Sequence, residues 1–368
     1  MIPPTLPVND TWHRPALAFL REFSLCFVLF TLVLVWRQEQ QAAPSELWLM
    51  RAGMMRDLVA ELPTGRQAAV SSLALMPLAT VTALPFLLFL PPSGYGYAYL
   101  YALAALLALA APAWRALLRG WGMGRGQWLA PVSLAVLAGW LGPTNHGDLL
   151  ACLAMLLLAW YFEQRDLAEL RALAGVFWGL VLFAHVLGLA LLGLRLVAAG
   201  VAWWRWRRVP EERAVRWIQG TSALYLLVVY LFLNWMIMGT ALYPWRAATW
   251  TWPLARITPP MASLDQALSH QCQGLTPVVS GPWGYVIQPL LRETHGYHFV
   301  DFDPAKLPRE ESRPLVLVVP TPGNPLARWQ DSRPATGDSP AAALNYLRLG
   351  QTPDWIFYLI DPLTYAHD

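Results

Sequence analysis

Charged residues are scarce in this chain of 368 residues, because only 13% are Asp, Glu, Lys or Arg. A soluble protein usually carries about 25%. The deficit lies before residue 240, where long apolar runs follow one another with short polar breaks. This pattern excludes an ordinary soluble fold for that part of the chain and predicts that it lies in a membrane.

Cysteine and lysine are scarce as well. Three cysteines stand far apart, at Cys26, Cys152 and Cys272, which excludes a disulfide framework and a cysteine-based zinc site. Lys306 is the only lysine, so nearly all positive charge is arginine. The arginines stand between apolar runs rather than in one basic patch, which argues against a nucleic-acid partner.

Charge divides the chain into two parts. Residues 1–239 carry seventeen arginines against twelve acids, a net charge of +5, whereas residues 240–368 carry nine basic residues against eleven acids, a net charge of −2. A basic membrane part is typical of proteins whose short cytoplasmic loops face anionic lipid. We therefore predict a membrane domain over 1–244 and a soluble extramembrane domain over 245–368.

Apolar runs long enough for packed or tilted helices predict about seven membrane spans. The run 172–204 is too long for one crossing and predicts a break near His185-Val186. The first run ends at Arg37 and fits a signal anchor, with cleavage after Ala42-Ala43 as the alternative. The predicted spans are 17–36, 97–114, 128–142, 149–162, 172–185, 187–204 and 217–239.

A further apolar stretch, 72–91, contains Pro77, Pro85 and Pro91-Pro92. Because proline leaves backbone carbonyls without partners in lipid, we expect an interfacial helix that does not cross. The basic loops 115–127, 163–171 and 205–216 then all face the cytoplasm, and loop 37–71 and the C-terminal domain lie outside. The alternative places the N-terminus outside and lets 72–91 cross.

The C-terminal part predicts a small α/β domain, because short β-rich runs alternate with stretches of helical character. The expected strands are Pro277–Ser280, His298–Phe302, Pro314–Pro320 and Asp354–Ile360. The expected helices cover 284–293 and 340–349.

The first outer loop contains the richest set of charges, on a predicted amphipathic helix with the sequence SELWLMRAGMMRDLVAEL. Glu46 and Asp57 are eleven residues apart, close to three helical turns, so both carboxylates share a face. One of them can act as a general base or hold a divalent metal ion at a phosphate. Arg51 can bind a phosphate, and the alternative for the whole set is a solvated helix face.

Two further places combine polar residues with apolar runs. Asn145, His146 and Asp148 lie between two spans, and Asp148 can either cap the following helix or face the first-loop carboxylates across a cavity. His185 and Arg195 lie inside apolar runs. Arg195 must snorkel to an interface or bind an anion, and His185 is either an interior histidine or part of a binding site.

The order of these features resembles a known family. The chain has a loop that begins Pro44-Ser45-Glu46, an amphipathic helix, the proline-rich stretch MPLATVTALPF, and LNWMIMGTALYP at the end of the last span. Over roughly residues 15–245 this resembles the GT-C membrane glycosyltransferases, which include aminoarabinose and protein-mannosyl transferases. The resemblance places Ser45 and Thr240 where the family has Asp, Glu46 at the position of the catalytic pair, and Asp148 at the acid of a later loop.

The resemblance implies an enzyme of a bacterial inner membrane that takes a sugar from a lipid-linked, polyprenyl-phosphate donor. Glu46, with Asp57 and Asp148, would supply catalysis, and Arg51, His146, His185 and Arg195 would bind substrate. The alternative, favoured by Ser45, is a non-catalytic scaffold of the same ancestry that binds envelope-assembly proteins through residues 245–368. A transporter is disfavoured because the chain shows no matched halves.

Overall fold

The structure of the chain is a computed structural model, and it comprises a helical bundle followed by small β-sheets. It describes residues 13–41, 46–59, 68–69, 72, 76–122, 129–144, 146–165, 167–205, 210–238, 241–242, 248–251, 254–257, 276–279, 315–321, 347–352 and 355–360.

Each predicted apolar span contains a helix, and the predicted amphipathic segment is helical as well. The helices are α1 (His13–Glu39), α2 (Glu46–Leu58), α3 (Leu78–Leu87), α4 (Ala98–Gly120), α5 (Leu129–Leu141), α6 (Asp148–Glu163), α7 (Ala168–Ala184), α8 (Gly188–Arg205) and α9 (Pro210–Met238). A 3₁₀ turn over Pro92–Tyr97 leads into α4.

Helix α4 is the central helix of the bundle and packs against α1, α3 and α6. Several of its alanines, among them Ala104, Ala108 and Ala111, are fully buried. Small side chains allow neighbouring helix backbones to approach closely, which is how helices pack in lipid. The sequence of α4 therefore explains its central position.

The described contacts define the directions of the helices. Asp148 at the start of α6 contacts Tyr99 at the start of α4, so these two helices run parallel. Glu22 in the first part of α1 pairs with Arg115 near the end of α4, so α1 runs the opposite way. The bundle thus has two ends, which we name the Asp148 end and the Arg115 end.

The long apolar run breaks where the sequence predicted. Helix α7 ends at Ala184, His185 is extended with φ −156°, and α8 begins at Gly188. A Cβ on Gly188 would lie 2.2 Å from the carbonyl oxygen of Val181, so glycine permits the tight reversal. The prediction of two helices in 172–204 is confirmed.

A Gly-x-x-x-Gly pattern joins α7 to α9. A Cβ on Gly175 would lie 2.3 Å from the carbonyl oxygen of Gln219, and one on Gly179 would lie 2.5 Å from the Cβ of Leu226. Both glycines are thus required by the close approach of the two helices, a contact typical of membrane helix pairs. The sequence analysis did not identify this motif.

Apolar side chains cover the outside of the bundle. Leu25 of α1, Leu194 of α8 and Tyr225 of α9 are each at least 66% exposed. Three helices are long and apolar enough to cross a membrane: Leu17–Glu39, Gly94–Gly120 and Ala214–Met236. They indicate a membrane protein, whereas the count of seven spans and the domain boundary at 244/245 stay predictions.

The proline-rich stretch 72–91 contains α3, which has ten residues and Pro85 within it. A helix of ten residues is roughly 15 Å long, about half the thickness of the hydrocarbon core. The interfacial placement of this stretch stays a prediction.

The C-terminal part contains two small sheets. Strands β1 (Ala248–Thr251) and β2 (Leu254–Ile257) form an antiparallel hairpin. The second sheet has the order β3-β4-β6-β5, with β3 (Thr276–Val279), β4 (Leu315–Pro320), β5 (Leu347–Gln351) and β6 (Trp355–Ile360). Its β4, β6 and β5 are antiparallel, and β3 is parallel to β4.

Three of the four expected strands are present, and one expected helix is corrected. The end of the predicted helix 340–349 belongs to strand β5, because Leu347 and Arg348 pair with Leu359 and Tyr358 of β6. Cross-strand pairing outweighs the helical propensity of this run. The expected strand His298–Phe302 and helix 284–293 lie outside the described residues.

Candidate functional site

Arg51 is the most deeply buried charged residue of the described chain, with no exposed surface. It lies in the middle of α2, between Trp48 and Met54. Both of these side chains pack towards the bundle, on the same face of the helix as Arg51. Its Nη1 donates to Oγ1 of Thr80 at 2.7 Å, and its Nη2 donates to the carbonyl oxygen of Met76 at 3.0 Å. Arg51 therefore holds α2, the helix of the first loop, which we call the loop helix, against the proline-rich stretch 72–91.

Asp148 supplies the counter-charge to Arg51. Its Oδ2 lies 2.5 Å from Nη2 of Arg51, and its Oδ1 accepts a hydrogen bond from the Tyr99 hydroxyl at 3.2 Å. The side chain makes no cap hydrogen bond to α6, because Asp148 is the first residue of the helix and Gly147 occupies the cap position. Its charge in the first turn still suits the helix dipole.

The backbone at Met76 has an unusual conformation. Its φ is +76°, in the left-handed region that residues other than glycine rarely adopt. The carbonyl oxygen of this residue is an acceptor for Arg51. A strained backbone of this kind costs of order 1–3 kcal/mol and persists where surrounding contacts fix it, which is common at functional sites.

Gly147 makes room for Tyr99. A Cβ at this position would lie 2.4 Å from the tyrosine hydroxyl oxygen and 2.7 Å from the carbonyl oxygen of Gly142. The φ of Gly147 is −55°, which any residue can adopt, so space alone requires glycine here. We name Arg51, Thr80, Tyr99, Asp148 and the carbonyl of Met76 the Arg51 centre.

The Arg51 centre combines opposite charges in one buried position. Asp148 is 8% exposed and Thr80 is 2% exposed. A charge is tolerated in such surroundings only when it is paired and hydrogen-bonded, as both partners are. In this arrangement Asp148 and Arg51 bind each other. They can therefore affect a ligand only indirectly, by holding the surrounding segments in place.

The other residues of the connection before α6 lie near this centre. His146 is half-buried, and its backbone N–H donates to Oγ1 of Thr144 at 3.2 Å. The hydroxyl of Thr144 in turn donates to the carbonyl oxygen of Leu141 at 2.7 Å. These bonds order the turn that presents Asp148, whereas Asn145 lies outside the described residues.

Glu46 and Asp57 belong to the same helix, as predicted, because α2 runs from Glu46 to Leu58. Arg51 lies between them, so the helix that carries both acids is fixed to α3 and α6. The side chains of Glu46 and Asp57 lie outside the part of the chain that the structure describes. The predicted cavity between Glu46, Asp57 and Asp148 therefore stays a prediction.

A second ion-paired cluster, which we name the Arg195 centre, consists of Glu163, Trp178 and Arg195. The Nε of Arg195 donates to Oε1 of Glu163 at 3.0 Å, and Nε1 of Trp178 donates to the same oxygen at 3.2 Å. The guanidinium carbon of Arg195 lies 5.7 Å from the centroid of the Trp178 ring. The charge of Arg195 is thus met by a carboxylate and an aromatic face.

His185 occupies the break between α7 and α8 and is 6% exposed. Its Nδ1 accepts a hydrogen bond from the backbone N–H of Leu187 at 3.2 Å, and its carbonyl oxygen accepts one from Gly188 at 2.8 Å. These contacts make it part of the reversal. Its predicted role in substrate binding stays a prediction.

Several members of the two centres were not identified from the sequence: Met76, Thr80, Tyr99, Glu163 and Trp178. Glu163 was detectable in principle, because it ends an apolar run and an arginine inside another run needs a partner. Among the residues that the structure describes, no group of three His, Cys, Asp or Glu side chains is placed to hold a metal ion.

The described fold and its charges define a class of protein: a helical membrane protein with two ion-paired centres inside an apolar bundle. No family model matches the sequence, and no match was found among curated proteins or among solved structures.

Proposed function

We propose that the chain is a membrane glycosyltransferase of the GT-C type. It transfers a sugar from a polyprenyl-phosphate donor at the outer face of a bacterial inner membrane. The observation that carries this proposal is the Arg51 centre, a buried ion pair beside a strained backbone at Met76. Charged groups inside an apolar bundle are costly and mark functional sites.

The Arg51 centre supports catalysis by positioning. It holds α2 against α3 and α6, and α2 begins with Glu46, the residue that the family resemblance makes the base. A general base must be held in place relative to the reacting hydroxyl, because small displacements cost rate. Arg51 and Asp148 are thus positioning residues in this proposal rather than groups that touch the sugar.

The proposed reaction is a displacement at the anomeric carbon of the sugar. Glu46 accepts the proton of the acceptor hydroxyl as the acceptor oxygen attacks that carbon. The bond between the carbon and the phosphate oxygen breaks, and polyprenyl phosphate leaves with the electron pair. Asp57 lies eleven residues, roughly 16 Å, further along α2 than Glu46, so the two acids do not share one metal ion. A divalent metal ion that stabilises the leaving phosphate would be held by one of the two acids alone.

The proposed topology places the Asp148 end outside and the Arg115 end in the cytoplasm. The opposite directions of α1 and α4 and the parallel course of α4 and α6 support it. Reporter fusions after Arg125 and after Gly350 should report the cytoplasm and the outside, respectively. The same side for both fusions would contradict the topology.

The catalytic proposal is tested with Glu46→Gln, which keeps the shape of the side chain and removes the base. Purified protein is given a panel of polyprenyl-phosphate sugars together with a membrane extract that supplies the acceptor hydroxyl, and released polyprenyl phosphate is measured. We expect release to fall about 10²–10⁴-fold. Glu169→Gln is the matched control, because Glu169 is an exposed carboxylate at the start of α7, at the other end of the bundle, and should keep full activity.

A second candidate is a non-catalytic scaffold of the same ancestry, which presents its C-terminal sheet to envelope-assembly proteins. The observation that favours it is that Arg51, Asp148 and Arg195 all bind partners within the protein. Wild-type protein that releases no polyprenyl phosphate from any donor would favour the scaffold. So would an envelope protein that copurifies equally with wild type and Glu46→Gln.

A further inference from the structure

A polar pocket of about 350 Å³ lies at the Arg115 end, between the last turns of the parallel helices α4 and α6. Arg115 is sixteen residues beyond Tyr99, so the pocket lies roughly 24 Å along α4 from the Arg51 centre. It is therefore separate from the proposed catalytic site. Its lining residues are Pro112, Arg115, Ala116, Arg119, Trp160, Tyr161, Gln164 and Arg165.

The charges of the pocket favour an anion. Three arginines line it, and none of its described lining residues is acidic. Arg119 and Arg165 are exposed, whereas Arg115 is half-buried and pairs with Glu22 at 2.5 Å. An arginine in the last turn of a helix also offsets the helix dipole, but this explains Arg119 alone and not the convergence of arginines from two segments.

Aromatic contacts fix the position of one of these arginines. The guanidinium carbon of Arg165 lies 4.0 Å from the centroid of the Tyr161 ring, a close cation–π contact. The exposed amide of Gln164 stands beside it and can donate further hydrogen bonds. A planar guanidinium that is held in place can bind two oxygens of a phosphate at once.

A second cavity, lined partly by apolar side chains, adjoins the first. It has a volume of about 420 Å³, shares Tyr161 and Arg165 with the polar pocket, and is otherwise lined by Phe162, Leu167 and Leu170. A ligand that fills both has a phosphate at one end and an apolar part next to it. This description fits a phospholipid better than a free phosphate.

We propose that the paired pockets at the Arg115 end bind one anionic phospholipid, with its phosphate between Arg119 and Arg165 and its apolar part against Phe162 and Leu170. Basic pockets between membrane helices recognise anionic headgroups in this way. The bound lipid would tie the end of α4 to the end of α6.

The test uses the purified full chain in detergent and native mass spectrometry. Phosphatidylglycerol is the anionic probe, and phosphatidylcholine is the zwitterionic probe. We expect one phosphatidylglycerol to bind in preference to phosphatidylcholine. Arg119→Gln with Arg165→Gln should weaken phosphatidylglycerol binding about 25-fold, because each arginine near an anionic headgroup contributes about fivefold.

Two controls make the test decisive. Arg21→Gln removes an exposed arginine of α1 from the same end of the bundle and should leave binding unchanged. Arg119→Lys with Arg165→Lys keeps the charge but loses the two-point guanidinium contact, so it should bind more phosphatidylglycerol than the double Gln variant and less than wild type, which excludes a folding defect. Equal binding by wild type and the double Gln variant, or equal loss in Arg21→Gln, would overturn the proposal. If inorganic diphosphate at equal concentration displaces the lipid, the ligand of this pocket is a soluble phosphate compound and not a phospholipid.

Discussion

The Arg51 centre and the Arg195 centre contain the same kind of ion pair in different surroundings. The side chains of Arg51 and Asp148 are 0% and 11% exposed, and their partners come from α2, α3, α4 and α6. The side chains of Arg195 and Glu163 are 15% and 18% exposed, and Trp178 completes that centre. The first centre joins a loop helix to the bundle, whereas the second joins helices that already pack.

This difference teaches that an ion pair has no fixed contribution to stability. In a fully buried centre, the loss of one partner lowers the free energy of unfolding strongly, because the remaining charge has no access to water. A centre with somewhat more exposed surface gives the remaining charge more room to turn towards water or a lipid headgroup. Single substitutions can measure this difference directly.

The largest effect is expected for Asp148→Asn. The change leaves the guanidinium of Arg51 buried without its counter-charge, so the free energy of unfolding should fall by about 3–5 kcal/mol. The measurement is reversible unfolding of the purified protein in mixed micelles, followed by circular dichroism. A loss no larger than that of Glu163→Gln would contradict the comparison.

Removal of both charges sharpens the same point. Arg51→Met combined with Asp148→Asn replaces the ion pair by groups that need no counter-charge. We expect the double variant to be more stable than Asp148→Asn alone, because close pairs are strongly non-additive. Additive losses would show that the two side chains stabilise the bundle independently.

A smaller effect is expected for Gly147→Ala. The added Cβ would lie 2.4 Å from the hydroxyl oxygen of Tyr99 and must displace it from Asp148. Overpacking of this kind costs about 1–3 kcal/mol. Tyr99→Phe in the same chain removes the hydroxyl and should restore part of the loss, and a double variant less stable than Gly147→Ala alone would contradict this explanation.

The smallest effect is expected for Glu163→Gln. The amide oxygen still accepts a hydrogen bond from Trp178, and Arg195 keeps some exposed surface, so the free energy of unfolding should fall by less than the about 3–5 kcal/mol expected for Asp148→Asn. The same unfolding experiment measures it. A loss of 3 kcal/mol or more would place the Arg195 centre in the same class as the Arg51 centre.

Much of the helical architecture could be predicted from the sequence, because each span is a local apolar run with polar ends. The predicted span 149–162 and the observed Asp148–Glu163 differ by one residue at each end. The break at His185 was predictable as well, because 33 apolar-rich residues exceed the roughly 20 that one crossing needs. Local composition was sufficient in both cases.

The partners within the site were not predictable, because they depend on tertiary structure. The sequence made Arg51 a phosphate ligand and Asp148 a cap or a cavity residue, but it contains no signal that pairs them over 97 positions. The positive φ of Met76 has no sequence signal either, because methionine carries no preference for that conformation. Strand β5 was missed for a similar reason, since only its pairing with β6 outweighs the local helical pattern.

The separation of Arg51 and Asp148 along the chain has a consequence for biosynthesis. A ribosome adds about 5–20 residues per second, so Asp148 is made about 5–20 s after Arg51. During that interval α2 has no counter-charge to bury with it and stays at the water–lipid surface. We therefore expect α2 to dock against the bundle only after α6 has been made.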